Sequence, residues 1–345
     1  MDSAPADGNP PASGETYRDD LPWLKWHDSK PIAHTFRYGA ESVEVPADGG
    51  RGPGETATTT SVSSFAAMDV LLEALCDRTN YPSLERIVVA GHSAGGQFVH
   101  RYGISSGSPC LDDGDRVKLV AANPRSFAYL DGRRYLPKGD VQVDAGAASD
   151  GDAEERLDVR DGGQETLSPF DELEYRLPDA DELGDCEGYN MYEWGLDANP
   201  DVPAPYVAYN LARLLAEIGR RQPHGSGGDD EAFCRYALRD VVYLSGERDV
   251  KRLGNQICDE DGYQGPSRRE RSERFFAGLQ ARGREVAERS GGDGGAEGDG
   301  GHCGRMAKVM AGNGGAVHRR SVVRNVGHDH ALIFQSEVGR RELGV

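Results

Sequence analysis

The sequence predicts an α/β fold in which a mostly parallel sheet is flanked by helices. Short runs of β-branched and other apolar residues, typical of buried parallel strands, alternate with segments of helical periodicity. One run passes through a glycine-bounded turn directly into a helix over residues 86–102. Two later runs end in polar loops, where open α/β sheets carry their functional side chains.

Little regular structure is predicted before the first of these runs. Residues 1–20 are rich in Pro, Gly, Ser, Asp and Ala and are expected to be disordered. The short segment Leu21–Trp26 contains a proline, which argues against a central strand. The alternating stretch His34–Val45 is a candidate strand, and Ser63–Asp77 predicts a helix. With one or two strands at most before residue 86, the sheet is either reduced or incomplete at its N-terminal end.

The run Ile87–Ala90 predicts a buried strand, and the turn after it fits the pattern Gly-x-Ser-x-Gly, with Gly91, His92, Ser93, Ala94 and Gly95. On a tight turn between a strand and a helix, glycines on both sides avoid collisions and leave the serine hydroxyl exposed. The serine then stands at a helix N-terminus, where the Ala94 N–H can stabilise an oxyanion. The pattern predicts that Ser93 is a nucleophile rather than a solvated serine in a glycine-rich turn.

A second match to the same pattern spans Gly103–Gly107, around Ser105. No apolar strand precedes it, and Ser108-Pro109 follows, which suits the end of a helix. We therefore expect Ser105 to have a structural role.

A nucleophilic serine needs a histidine to accept its proton and a carboxylate to orient that histidine. The apolar run Val241–Leu244 leads into a loop that contains Asp249, the best candidate acid, with Glu247 in reserve. The strand-like segment 321–326 leads through a glycine to His328, the candidate base, with His330 as a weaker rival. The alternative for each is an ordinary loop residue.

The histidines also allow a metal site or a packing role. His328 and His330 could be metal ligands, but no further set of ligands at a recognisable spacing completes a site, so no metal is predicted. His92 and His100 are expected to pack or to line the pocket, because the base normally comes from a distant loop.

Three strand-end loops that carry a serine, an acid and a histidine in this chain order resemble the α/β-hydrolase superfamily, over Arg86–Leu136 and Val241–Phe334. The resemblance implies a nucleophile elbow at the serine turn. It further implies a serine hydrolase that forms an acyl-enzyme, most plausibly on a carboxylic ester, without a cofactor. Its catalytic residues would be Ser93, Asp249 and His328, with Ala94 in the oxyanion hole. The His-Gly motif that often marks a second oxyanion donor is not found before the serine. A hydrolase fold that binds partners without turnover is therefore the alternative.

The chain divides into residues 21–137, the first part of the core; 138–187, an acidic insertion that is either a lid or a solvated loop; and 188–345, the second part of the core. Amphipathic patterns predict helices over 204–220 and 268–288.

Composition limits the partners. A net charge of −19 disfavours binding to nucleic acid or to anionic membranes, and no apolar run is long enough to span a membrane. A small-molecule ester or other acyl substrate is expected, and the oligomeric state is open. The absence of a signal-like apolar stretch in residues 1–20 favours a cytoplasmic location.

The six cysteines permit disulfides. Cys110, Cys186 and Cys258 lie in loop-like contexts and could pair, whereas Cys76 is expected to pack within a helix.

Overall fold

The computed structural model describes residues 26, 35–42, 61–112, 116–138, 172–184, 186–197, 205–210, 228–251, 263–292, 301–312 and 317–345. The strands are β1 (Ile87–His92), β2 (Val117–Ala122), β3 (Arg134–Pro137), β4 (Leu173–Arg176), β5 (Asp240–Gly246) and β6 (Arg319–Val323). The helices are α1 (Ser64–Cys76), α2 (Ala94–Ser105), α3 (Ala180–Leu183), α4 (Gly228–Ala237), α5 (Arg268–Gly292), α6 (His302–Gly312), α7 (His330–Gln335) and α8 (Glu337–Leu343). Short 3₁₀ helices span Thr35–Tyr38, Pro109–Leu111 and Glu187–Asn190.

Four strands form a parallel sheet in the order β1-β2-β5-β6. The register pairs His92 with Ala122, and Ala122 with Leu244, so the carboxyl ends of β1, β2 and β5 lie at one edge. The predicted mostly parallel α/β sheet is therefore confirmed. Because the three strands end together, the loops that follow them converge on one site.

Helices cover both faces of this sheet. Residues of β2 alternate between the faces: Leu119 and Ala121 belong to a large core cluster with α2, α4 and α5, whereas Val120 and Ala122 pack in a smaller cluster with Ile333 of α7. All four β2 side chains are fully buried. This burial on both sides explains why the strand is a continuous apolar run rather than an alternating one.

The region before β1 differs in part from expectation. Helix α1 confirms the predicted helix. The candidate strand His34–Val45 is wrong where the structure describes it, because Thr35–Tyr38 is a 3₁₀ helix. The hydroxyls of Ser63 and Ser64 donate to the carbonyls of Gly39 and Phe36 and hold this turn against α1. In this turn the Phe36 ring stacks on Phe98 of α2, and after it Glu41 forms an isolated antiparallel bridge with Ser63. Within the described residues, β1 pairs with β2 on one side and forms the edge of the sheet on the other.

Beyond β2, most of the acidic insertion (139–171) lies outside the described residues, as do residues 1–20. Its flanks pair as the antiparallel strands β3 and β4. The predicted division into segments stays a prediction. Helix α5 confirms the helix predicted over 268–288 and is longer; of the helix predicted over 204–220, residues 205–210 are described and are helical.

Disulfides join Cys76 to Cys110, with Cα atoms 6.3 Å apart, and Cys234 to Cys303, with Cα atoms 4.9 Å apart. Cys186 is disulfide-bonded as well, and Cys258 lies outside the described residues. Cys76 lies in α1 and packs against the main core cluster, as predicted, and its thiol is in addition bonded to the loop that follows α2. Disulfides persist chiefly in oxidising compartments. The cytoplasmic location stays a prediction, and these bonds weigh against it.

In the part of the chain that is described, no helix has both the length and the apolar character needed to cross a lipid bilayer.

Candidate active site

Ser93 stands at the turn between β1 and α2 with backbone angles φ 55° and ψ −112°. A positive φ is uncommon for a residue other than glycine and stores local strain, which is often found at functional sites. A Cβ at Gly91 would overlap the carbonyl oxygen of Gly95, so the first glycine of the pattern is sterically required. By contrast, a Cβ at Gly95 would meet no described atom within 4 Å outside its chain neighbours and the backbone of α2, so the collision expected at the second glycine is not found.

The close approach of α2 to β2 instead depends on Gly96. A Cβ there would come within 2.5 Å of the carbonyl oxygen of Ala122. The pattern-based reasoning did not select this residue, although the doubled glycine after Ala94 is visible in the sequence.

Three of the predicted residues form a continuous hydrogen-bonded chain. His328 Nε2 lies 2.9 Å from Ser93 Oγ, and His328 Nδ1 lies 2.8 Å from Asp249 Oδ2. The three side chains come from loops after β1, β5 and β6, as the sequence order suggested. This arrangement can take a proton from the serine and hold the resulting imidazolium against a carboxylate.

Burial differs sharply within this chain of residues. The Asp249 side chain is 2% exposed, whereas the His328 side chain is 30% exposed. A second contact to the acid comes from Arg268 of α5, whose Nη1 lies 3.5 Å from Asp249 Oδ1. The carboxylate thus accepts from the imidazole on one oxygen and faces a guanidinium with the other, which keeps a buried charge compensated.

Asn123, the residue after β2, joins the loops that carry Asp249 and His328. Its Oδ1 accepts from the Gly246 N–H at 2.8 Å, and its Nδ2 donates to the Gly327 carbonyl at 3.2 Å. It is 2% exposed and has a φ of 43°. The sequence reasoning missed this residue; the available signal was a polar residue directly after a buried strand.

His92 lies beside the base, with its ring centroid 4.6 Å from that of His328 and 5.9 Å from that of His330. Burial, followed by the charges of these two imidazoles, lowers the pKa of His92 to about 4. His92 is therefore neutral at the pH at which an unperturbed histidine titrates, and it adds no charge next to His328.

The remaining candidate residues do not contact Ser93, Asp249 or His328 through any of the hydrogen bonds described for them. Ser105 is buried, and its hydroxyl donates to the Arg101 carbonyl at 2.8 Å, within α2. His100 is fully buried, with Nε2 accepting from the Ala128 N–H at 2.9 Å. The carboxylate of Glu247 accepts from the Asn325 N–H at 2.7 Å. His330 begins α7. The described residues contain no group of three or more His, Cys, Asp or Glu side chains placed to hold a metal ion.

Ala94 is exposed, and its N–H belongs to the first turn of α2, whose N–H groups have no intrahelical partner. Beside Ala94 and Gly95, a groove of about 530 Å³ opens along the outer edge of β1. The predicted oxyanion donor therefore lines the groove and directly follows Ser93 in the chain.

No protein-family model matches the chain, and no curated protein matches it significantly. Among solved structures, it is similar to LpqC, a poly(3-hydroxybutyrate) depolymerase from Bordetella parapertussis, at 15% identity and a TM-score of 0.39, with 82% of this chain and 57% of that chain covered. It is also similar to poly(aspartic acid) hydrolase-1 from Sphingomonas sp. KT-1, at 17% identity and a TM-score of 0.36, with 79% and 61% covered. The chain therefore spans about three fifths of the length of these structures. Any assignment of function depends on the geometry of the site.

Proposed function

We propose that this chain is a serine hydrolase that acts on carboxylic esters through an acyl-enzyme. The observation that carries the proposal is the continuous set of hydrogen bonds from Ser93 through His328 to the buried Asp249. Each of the three groups is placed at the distance at which its proposed role requires contact.

In the first half of the reaction, Ser93 Oγ attacks the ester carbonyl carbon while its proton passes to His328 Nε2. The carbonyl π electrons move to oxygen, and the Ala94 N–H donates to the resulting oxyanion. The intermediate collapses, the bond to the alkoxide breaks, and His328 returns its proton to the departing alcohol. The acyl group is then bound to Ser93.

In the second half, His328 takes a proton from water, and the hydroxide formed attacks the acyl carbon. Collapse of the second intermediate releases the carboxylic acid, and the proton on His328 returns to Ser93 Oγ. Asp249 accepts a hydrogen bond from Nδ1 throughout, fixes the tautomer that leaves Nε2 free to accept, and stabilises the imidazolium. No cofactor is needed for either step.

The first experiment is labelling of the folded protein by a fluorophosphonate probe, with Ser93→Ala and Ser105→Ala as a matched pair. Both serines occur in the same sequence pattern, but only Ser93 contacts a histidine. We expect labelling to be lost in Ser93→Ala and retained in Ser105→Ala. Absence of labelling in the folded parent protein would contradict the proposal and favour the alternative, a hydrolase fold that binds a partner without turnover.

A further inference from the structure

We infer that the groove beside the elbow binds the acyl group of the substrate, and that this group is an apolar chain of several carbons. The inference rests on the proposed function, because it places the substrate by the chemistry of Ser93.

The groove is mainly apolar and is built by four elements: the turn at Thr35–Tyr38, α1, β1 and α2. Its apolar side chains are Phe36, Met68, Leu71, Val89, Phe98 and Val99, with Arg37 and Ser64 as polar members. Met68 and Leu71 belong to α1, and Phe98 and Val99 to α2. Its volume of about 530 Å³ lies in the range of small-molecule pockets, about 300–1,000 Å³. An apolar occupant is therefore favoured over a charged one.

The order of the strands fixes which part of an ester faces this groove. His328 follows β6, on the side of β1 where β2, β5 and β6 lie, whereas the groove is lined by β1, α1, α2 and the turn at Phe36–Arg37 and by no residue of those three strands. The leaving alkoxide must face His328 Nε2, because that atom protonates it. With the leaving group at His328 and the oxyanion at the Ala94 N–H, we assign the remaining substituent of the tetrahedral carbon, the acyl chain, to the groove, which Gly95 lines next to Ala94.

The open space at Gly95 supports this placement. Both Ala94 and Gly95 line the groove, and apart from its chain neighbours and the backbone of α2, no described atom lies within 4 Å of a Cβ built at Gly95. The groove thus begins at the residues next to the nucleophile, so that a chain attached to the acyl carbon enters it without crossing a side chain at that position. This gives the second glycine of the pattern a role in substrate access in place of the expected steric one.

The experiment measures kcat/KM for p-nitrophenyl esters from acetate to decanoate with the parent protein, Ala67→Phe and Val70→Phe. Ala67 lines the groove, whereas Val70 lies on the same helix, is 70% exposed and does not line it. We expect kcat/KM to rise by about fourfold per methylene, as transfer of each methylene from water predicts, until the groove is filled. We expect Ala67→Phe to reduce decanoate turnover by at least about tenfold and to leave acetate within about twofold, with Val70→Phe unchanged.

Labelling of every variant by diisopropyl fluorophosphate, which carries no long chain, separates this inference from the proposed function. Labelling of Ser93 together with equal kcat/KM along the acyl series would overturn the inference and leave the serine hydrolase intact. A gradient that follows the length of the alcohol instead would place the leaving group in the groove. A flat acyl series with a change of oligomeric state in Ala67→Phe, measured by sedimentation, would assign the groove to a second copy of the chain. Each of these results contradicts acyl binding.

Discussion

The two sides of Ser93 are built in different ways. On the side of β2, β5 and β6, named polar atoms meet at hydrogen-bond distance, and Asn123, Asp249 and His328 each have defined partners. On the side of the outer edge of β1, apolar side chains of α1 and α2 surround an open groove.

This difference matches two separate demands of ester hydrolysis. Proton transfer depends on distances and angles, and an error of about 1 Å can cost about 100-fold in rate. Selectivity for an apolar chain depends on the shape and area of the contact and tolerates small adjustments. Variants on the first side should therefore lower kcat, whereas variants on the second side should change which substrate is preferred.

The largest effect is expected for Asp249→Asn. The amide would hold the His328 imidazole in the wrong tautomer, and kcat should fall by about 10⁴-fold with KM little changed. Steady-state kinetics on a p-nitrophenyl ester measure this effect. Glu247→Gln is the matched control, since Glu247 follows the same strand but contacts Asn325, and its kcat should stay within about twofold. If Asp249→Asn raised KM without lowering kcat, the expectation that variants on the hydrogen-bonded side lower kcat would be wrong.

The disulfides sharpen the comparison from the side of the groove. Cys76–Cys110 closes the end of α1, which forms one wall of the groove, and joins residues 34 positions apart. Replacing both cysteines by alanine should lower the free energy of unfolding by about 4 kcal/mol, by the entropy of the closed loop. We also expect the dependence of kcat/KM on acyl length to become flatter.

Replacement of Cys234 and Cys303 is the control for this effect. That disulfide joins α4 and α6, neither of which lines the groove. Urea unfolding should show a loss of similar size, whereas the acyl-length dependence should be retained. Equal changes of selectivity in both double variants would mean that the groove is not a local feature of α1.

Asn123→Gly tests the hydrogen-bonded side without removing a group of the proposed triad. Glycine tolerates the φ of 43° but loses the bonds to Gly246 and Gly327, so the loops of the acid and the base are no longer joined. We expect kcat to fall by about 10–100-fold with KM within about twofold.

Asn325→Gly is the control, because Asn325 also has a positive φ, 59°, but is exposed and contacts Arg248. Its kcat should be unchanged. If Asn123→Gly and Asn325→Gly both lost thermal stability but were labelled by the fluorophosphonate at the same rate, Asn123 would have a structural role alone.

Features that depend on a short local pattern of residues could be predicted from the sequence. β1, α2 and the positions of Ser93, Asp249 and His328 follow from apolar runs and from the polar loops after them, and the structure brings these three side chains together. Their catalytic roles are still proposals.

What could not be predicted depends on contacts between distant segments. Asn123 is informative only because β2 lies between β1 and β5, an order that no local pattern encodes. The turn at Thr35–Tyr38 depends on Ser63, Ser64 and Phe98, which are distant in the chain and bind or pack against it, so the local alternation of residues does not reveal it. The space at Gly95 likewise depends on which elements lie beside β1.

The smallest expected effect concerns His100 of α2, a helix that both sides of the site share. Burial, and then the charge of Arg101, hold the pKa of His100 well below its ordinary value. As the pH falls below about 6.5, the unfolded chain binds a proton that the folded chain excludes, so stability is present above that pH and is lost below it. Each pH unit of acidification below that pH lowers the free energy of unfolding by about 1.4 kcal/mol for one such group. Urea unfolding between pH 6.5 and 4.5 should therefore give a slope that is smaller by about one proton in His100→Gln than in the parent protein.

Activity that is lost on acidification because α2 becomes less stable should be lost equally for esters of every acyl length, since both sides of the site share this helix. An acid loss that differs between short and long acyl chains would instead place the titrating group at the groove.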